Sequence, residues 1–243
     1  MGSIDHVMIR RRIHIRETIA TILADEEWVV KAARQGIIRA RQELERYIAN
    51  DPFFLATLDP YPVRTGIDTV DRMAEAGVRA GVGPMAAVAG AIAWAGVEAV
   101  HDAGSSFCVV DNGGDIALVT DRELTIGIHA GASALSDQLG FVIRPGSGPL
   151  GICTSSATVG PSLSFGTADA VTVFSPNPAC ADAYATAICN EVSPGDTTVI
   201  ERLRSPELLG VFVIIGDWTF RWGAIPRPVR VRDRRDLITG GMW

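Results

Sequence analysis

The feature that most constrains this chain is an 18-residue stretch, residues 80–97, without a single charged side chain. Only Val82, Met85, Val88, Ile92, Trp94 and Val97 in it are bulky; the rest is alanine and glycine plus Pro84. Length alone would allow a membrane span, but such weak hydrophobicity favours a helix buried in a protein core. Pro84 suits the first helical position, so the sequence predicts a helix of small residues from there to about His101.

What surrounds that helix sets the fold class. Interleaved β-branched and charged residues over 7–23 predict a hairpin, and apolar residues at three-to-four spacing predict a helix over 26–49, capped by Asp25. A proline-rich loop to Thr65 and a short helix over 68–76, stopped by Gly77, follow. Strands are predicted over 106–111, 116–120 and 124–129, and around Val171 and Val173; a helix over 178–190 and a hairpin over 211–222 complete the chain. Antiparallel-looking strand pairs separated by helices, without regular βα alternation, predict an α+β fold with helices on one face of the sheet. No linker interrupts the pattern, so residues 1–243 are expected to form one domain.

Composition excludes several chemistries. The chain has one lysine, Lys31, against 21 arginines, and no Gly-Lys-Ser/Thr phosphate loop. A net charge of −6 argues against a nucleic-acid binder. The four cysteines, Cys108, Cys153, Cys180 and Cys189, form no CxxC pair and are expected to be buried free thiols. With no apolar run of signal-peptide length at the start, the expected location is the cytoplasm. The histidines, His6, His14, His101 and His129, are scattered without a metal-ligand neighbour at useful spacing. Gly81-Val82-Gly83-Pro84-Met85-Ala86 fits a dinucleotide fingerprint, but the residues before it do not read as a strand.

Charge is unevenly placed. Residues 98–201 hold 12 acidic and two basic residues, whereas residues 221–236 hold six arginines and two aspartates. Asp111, Asp115, Asp169 and Asp182 abut apolar strands or glycine turns, so their carboxylates must be paired, hydrogen-bonded or on a metal. Asp182 leads a helix of small residues with Thr186 four positions on, and i and i+4 share a helix face. Their oxygens suit Mg²⁺, which takes few protein ligands and completes its shell with water and phosphate. The alternative for Asp182 is a cap on the N-terminus of its own helix. Residues 146–167, of which 13 are Gly, Ser or Thr, could cradle a diphosphate with backbone and hydroxyl donors.

Four motifs in order resemble the ApbE superfamily of FAD:protein FMN transferases. They are Gly90-Ala91-Ile92-Ala93, Val110-Asp111-Asn112-Gly113-Gly114-Asp115-Ile116, Cys153-Thr154-Ser155-Ser156, and Ala181-Asp182-Ala183 through Thr186-Ala187. The similarity spans roughly 84–190 and is nearest to a short branch of that superfamily, found in methanogens and other archaea and in bacteria. It implies a T-fold-like core, with FAD beside a Mg²⁺ held by Asp182 and Thr186. Gly113, Gly114, Asp115, Thr154, Ser155 and Ser156 would contact the nucleotide, and Asp182 would be catalytic. The implied reaction moves FMN from FAD to a hydroxyl of an acceptor protein, with AMP leaving.

Two departures stand out. Trp94 occupies the place of the superfamily's lysine, and residues 160–166 stand where it has His-Ile-Ile-Asp-Pro-x-Thr-Gly. The alternative expectation is therefore a non-catalytic ligand-binding or homo-oligomeric assembly module that keeps the fold, associating through strand edges or the arginine-rich C-terminal stretch.

Overall fold

In the computed structural model, residues 8–131, 133, 135–146, 148–157 and 166–231 are described. Residues 160–165 and 232–236, which carry part of the substituted motif and of the arginine-rich stretch, lie outside them.

The N-terminal hairpin forms as its pattern predicts, from β1 (Ile9–Ile15) and β2 (Thr18–Ala24). Helix α1 (Glu27–Asn50) follows and buries Val29, Val30, Ala33, Ile37, Ala40 and Leu44 along one stripe. Asp25 does not cap it, contrary to expectation. The helix has no side-chain cap, and the Asp25 carboxylate instead takes two bonds, 2.5 and 3.2 Å, from the Arg122 guanidinium. The segment read as a loop contains a short helix, α2 (Pro52–Ala56), anchored by the buried Phe54 ring against Tyr47. Helix α3 (Asp68–Ala80) runs past Gly77, which lies beneath the Val82 carbonyl, and ends where Gly81 takes the left-handed φ of +77°. The element before the Gly-x-Gly stretch is thus a helix, which removes the dinucleotide-fold reading.

A short 3₁₀ turn, Pro84–Ala87, leads into α4 (Val88–Asp102). By length and composition Pro84–Asp102 could cross a membrane, yet α4 buries Gly90, Ala91, Ile92, Ala93, Gly96, Val97 and Val100 inside the fold, as a core helix. After it come β3 (Cys108–Asn112), β4 (Asp115–Val119), β5 (Leu124–Gly127), β6 (Leu139–Ile143), β7 (Leu150–Ser155) and β8 (Ala170–Ser175). Helix α5 (Pro178–Glu191), the short α6 (Thr198–Arg202), β9 (Gly210–Ile215), β10 (Trp218–Gly223) and β11 (Arg227–Arg230) complete the order.

Eight strands form one sheet in the order β1-β2-β3-β4-β7-β8-β9-β10, and every adjacent pair is antiparallel. Strands β5 and β6 leave it to build a second antiparallel sheet with β11. The pleat sorts side chains between two cores. Ala20, Ile22, Val110, Ala117, Cys153, Val171 and Val213 face the helices. Val109, Leu118, Ile152, Phe174 and Ile214 face the small sheet, where Phe141 meets the Phe174 ring edge-on at 4.9 Å. The expected α+β class with helices on one face is the one observed, and the small sheet covers the other. Two of its strands, β6 and β11, were not predicted, because glycine and proline dilute their alternation.

Helix α4 owes its position to what it lacks. A Cβ on Gly90 would overlap the Pro178 carbonyl oxygen and stand 2.9 Å from the Cβ of Asp182. On the other side, a Cβ on Gly36 of α1 would overlap the Ala95 carbonyl oxygen. Small residues thus bring α1, α4 and α5 to backbone contact. Gly90→Ala should cost about 1–3 kcal/mol in urea unfolding, through overpacking that backbone atoms cannot relieve. Wild-type stability in that variant would mean that the crossing is looser than described.

Candidate functional site

Asp182 sits in the second turn of α5, and its own helix is capped by another residue. Asn177 Oδ1 accepts from Cys180 N at 3.2 Å, and Pro178 occupies the first turn. The capping alternative is corrected in its address: Asp182 Oδ2 accepts from Gly90 N at 2.8 Å, in the first turn of α4. Ala89 N also donates to this carboxylate. Helix α4 has no side-chain cap of its own, so a carboxylate from α5 satisfies its unpaired N–H groups, where the helix dipole favours negative charge. The missing Cβ of Gly90 lets the two come together.

The sheet edge completes the arrangement. Asp115 opens β4 on the helix-facing side and pairs in register with Cys153 of β7. Its carboxylate is influenced by Thr154 N and by the Cys153 thiol, whose proton is directed to Pro178 O at 3.4 Å. Asn112, one residue before the glycine turn, donates from Nδ2 to Ala89 O at 3.1 Å, which ties β3 to the same end of α4. Asp111 Oδ1 accepts from Gly114 N at 2.9 Å and closes the turn. Gly113 and Gly114 adopt φ of +73° and +104°, the left-handed side that the turn requires, and a Cβ on either would meet nothing within 4 Å. The turn therefore stands open at the rim.

These contacts converge electrostatically. Burial pushes the Asp182 carboxyl up to about 7, against the pull of the Gly90 and Ala89 amides. Burial also raises Asp115 well above the usual carboxylate range, and the charges of Asp182 and Asp111 raise it further. Cys153, beneath both carboxylates, is raised by burial and then by Asp115 and Asp182. No cationic side chain is among the dominant influences on either carboxyl. All four acids singled out by their sequence context are held by backbone N–H groups, since Asp169 Oδ2 accepts from Gly216 N at 2.7 Å.

The remaining predicted positions divide by face. Thr186 lies one turn beyond Asp182 on the same side of α5 and is half-buried. Ser155 alternates with Thr154 and shares the helix-facing side with Cys153, while Ser156 follows the strand. Thr154 Oγ1 points the other way, 2.9 Å from the hydroxyl of the buried Thr172, so only its backbone N–H reaches the acidic cluster. Trp94 is half-buried against the helix-side core. Sequence reasoning missed the amides of Ala89 and Gly90 as partners of Asp182, although Gly90 opened one of the quoted motifs. It also missed the thiol of Cys153 as a neighbour of both acids.

Among the described residues, no three His, Cys, Asp or Glu side chains gather as a metal cluster. Two carboxylates nevertheless fit Mg²⁺, which takes one or two and fills its shell with water and phosphate oxygens. A carboxylate has about four acceptor positions, and backbone donors occupy only some of those on Asp182.

The raised Asp182 carboxyl has a signed consequence. Between about pH 4, where the unfolded carboxyl ionises, and about pH 7, the folded state binds more protons than the unfolded one. Its contribution to stability is therefore fully present at low pH and lost as pH rises through the folded value. Asp182→Asn keeps an oxygen acceptor for Gly90 N and removes the titration. The stability of the wild type relative to Asp182→Asn, measured by urea unfolding without metal, should fall from pH 5 to pH 8; a rise would contradict the burial. Asp182→Ala, which removes the cap, should cost about 0.5–2 kcal/mol more than Asp182→Asn at pH 5.

The comparisons with known proteins agree with this architecture. The family model described as AbpE bacteria matches residues 5–209. A UPF0280 protein of Methanoculleus marisnigri is 58% identical over 234 residues, which cover 96% of each chain. Another, from Methanospirillum hungatei, is 53% identical over 233 residues, 96% of this chain and 95% of that one. Among solved structures, the apo form of the flavinyl transferase ApbE of Pseudomonas stutzeri superposes with a TM-score of 0.55 over 100% of both chains, at 11% identity. The flavin transferase ApbE of Vibrio cholerae gives 0.50 at 15% identity, over 89% of this chain and 97% of that one. At such identities the likeness is one of fold. The extent of the family match and the close relatives together place this chain in the AbpE bacteria family, a distinct ApbE-like family built on the ApbE fold.

Proposed function

We propose that this protein binds a flavin or related nucleotide through a Mg²⁺ ion, and that its reaction is the transfer of FMN from FAD to a hydroxyl of an acceptor protein. The observation that carries the reading is the pair of neighbouring carboxylates, Asp182 buried and Asp115 half-buried, each with its proton affinity raised and neither dominated by a cation. A divalent cation between them and a diphosphate would offset both sets of negative charge, a task that no lysine near the site can take, since Lys31 is the only one in the chain.

In this reading Asp182, Asp115 and the Thr186 hydroxyl hold the ion. It would supply charge neutralisation on the diphosphate. The chain's own groups do the rest. Backbone N–H groups of the open Gly113–Gly114 turn and the hydroxyls of Ser155 and Ser156 orient the phosphates; Thr154 contributes through its backbone. Burial of Asp182 under α4 keeps water from its inner side. The acceptor hydroxyl attacks the phosphorus of the FMN half, a new P–O bond forms, the bridging P–O bond breaks, and AMP departs with the electron pair.

Two measurements test this. Purified protein should show a thermal shift with FAD, FMN, ADP or ATP that requires Mg²⁺; no shift with any of the four removes the basis of the reading. Flavinylation of a co-expressed acceptor should disappear in Asp182→Asn, which retains the helix cap; equal labelling by that variant would sink the transfer.

One observation favours a second reading. Trp94 stands in place of the superfamily's lysine, which fits a binding or assembly module without transferase chemistry. Strands β1 and β10 end the large sheet, with no strand paired to their outer edges among the described residues. That module would be a homo-oligomer by light scattering. A monomer, or any turnover of FAD, would rule it out.

A further inference from the structure

The two end strands of the large sheet are unlike. Strand β1 carries Arg10, Arg11, Arg12 and His14 among its seven residues, and a charged edge guards a sheet against pairing with another chain. Strand β10, Trp-Thr-Phe-Arg-Trp-Gly, carries a single charge, Arg221, and no proline. Among the described residues no strand covers its outer side.

Its side chains alternate. Trp218, Phe220 and Trp222 are half-buried and pack toward the helix-side core, while Thr219, Arg221 and Gly223 are exposed. The Trp218 and Phe220 rings are stacked, with planes 10° apart and centroids 6.0 Å apart, and the Arg204 guanidinium lies 5.5 Å over the Trp222 ring. On β9 the aromatic row has Ile215, Val213 and Val211 opposite it; its other flank is the open edge.

The hairpin fixes which backbone groups face outward. Gly216 and Asp217 form a two-residue turn, with Gly216 at a φ of +56°, so Ile215 and Trp218 are its flanking hydrogen-bonded pair. Bonded and non-bonded pairs alternate along an antiparallel ladder. Farther along, Ala224 N donates to Leu209 O at 2.7 Å, in phase with that alternation. The N–H and C=O groups of Trp218, Phe220 and Trp222 therefore engage β9, and those of Thr219 and Arg221 point to the open side.

Two twofold registers of β10 against itself would match those outward groups along most of the strand, one centred on Arg221 and one on Phe220. The first sets the two Arg221 side chains directly opposite, where like charges are destabilising. The second sets Phe220 against its own copy and Trp218 against the second copy's Trp222, all at non-bonded positions, where side chains come closest. It also places Arg221 opposite a neutral threonine. We propose that this chain forms a twofold dimer by pairing β10 with β10 of a second copy, centred on Phe220, so that two large sheets become one. Such an isologous contact closes on itself and leaves only the arginine-bearing β1 edges outermost. The dimer rests on the assembly part of the second reading above and fixes its edge and register; it requires no loss of chemistry.

Sedimentation velocity of the full chain tests the dimer, with substitutions at exposed positions that leave the core untouched. The wild type should sediment as a dimer at micromolar concentration. Thr219→Arg would face Arg221 twice across the twofold axis and should raise the dimer dissociation constant about tenfold. Thr219→Glu, facing the same guanidinium, should lower it, and Arg221→Glu added to Thr219→Arg should restore the dimer. Phe220→Cys should cross-link two copies on mild oxidation, because Cα atoms of a non-bonded pair lie about 4.5 Å apart, within disulfide range. Arg221→Cys should not cross-link, and the native cysteines are buried. An oligomer indifferent to both Thr219 variants overturns the β10 seam and leaves assembly through another surface standing. Cross-linking by Arg221→Cys but not by Phe220→Cys overturns the register and with it the proposed dimer. A monomer overturns the dimer and the second reading together.

Discussion

The site depends on one contact: a carboxylate on one helix bonded to the first turn of another. Asp182 reaches the Gly90 amide only because Gly90 has no side chain, and Pro178 lies against α4 and β7 for the same reason, since a Cβ on Gly151 would fall 2.5 Å from Pro178 Cα. Two glycines on different elements therefore seat a single helix start. From that seat α5 presents Asp182 beside Asp115, and Asn112 locks the neighbouring strand to α4 through Ala89. Helix packing, helix capping and the acidic cluster are thus one structure, and disturbing any of them alters the others.

Opposing requirements meet at Asp182. As a cap it is best ionised, because charge complements the exposed amides of a helix start. As a buried acid beside another it is best protonated, and burial is the larger influence. A cation would have to displace that proton, and no arginine is among the dominant influences on either carboxyl. Two of the arginines bind acids elsewhere. Arg72 takes Glu98 in a two-pronged pair at 2.7 and 2.8 Å, and Arg122 takes Asp25.

Much of the architecture was legible in the residues. Small-residue composition marked α4 as buried, three-to-four spacing marked α1, and the glycine turn marked the β3–β4 hairpin. Three local signals misled for identifiable reasons. Asp25 reads as a helix cap, but a guanidinium 97 positions away competes for it. Gly77 reads as a helix stop, but it is small for packing, and the stop belongs to Gly81. The Gly/Ser/Thr-rich stretch over 146–167 reads as an anion cradle, yet its middle is β7, whose pairing with β4 and β8 comes from distant segments that propensity does not see. The acidic positions were visible by their apolar flanks. Their donors were not, because backbone amides carry no sequence signature.

The way those acids are held has a consequence for the conditions under which the site persists. Ion pairs between exposed side chains fade as ionic strength rises, because mobile ions substitute for the partner within a Debye length of about 8–10 Å. A carboxylate bonded to a fixed peptide N–H inside the protein has no such competitor, since the donor is part of the scaffold and cannot turn away. Asp182, buried and bonded to Gly90 N, is held in this second manner. Strong brine would therefore loosen surface pairs such as Arg202–Glu191 and leave the Asp182–Gly90 contact in place.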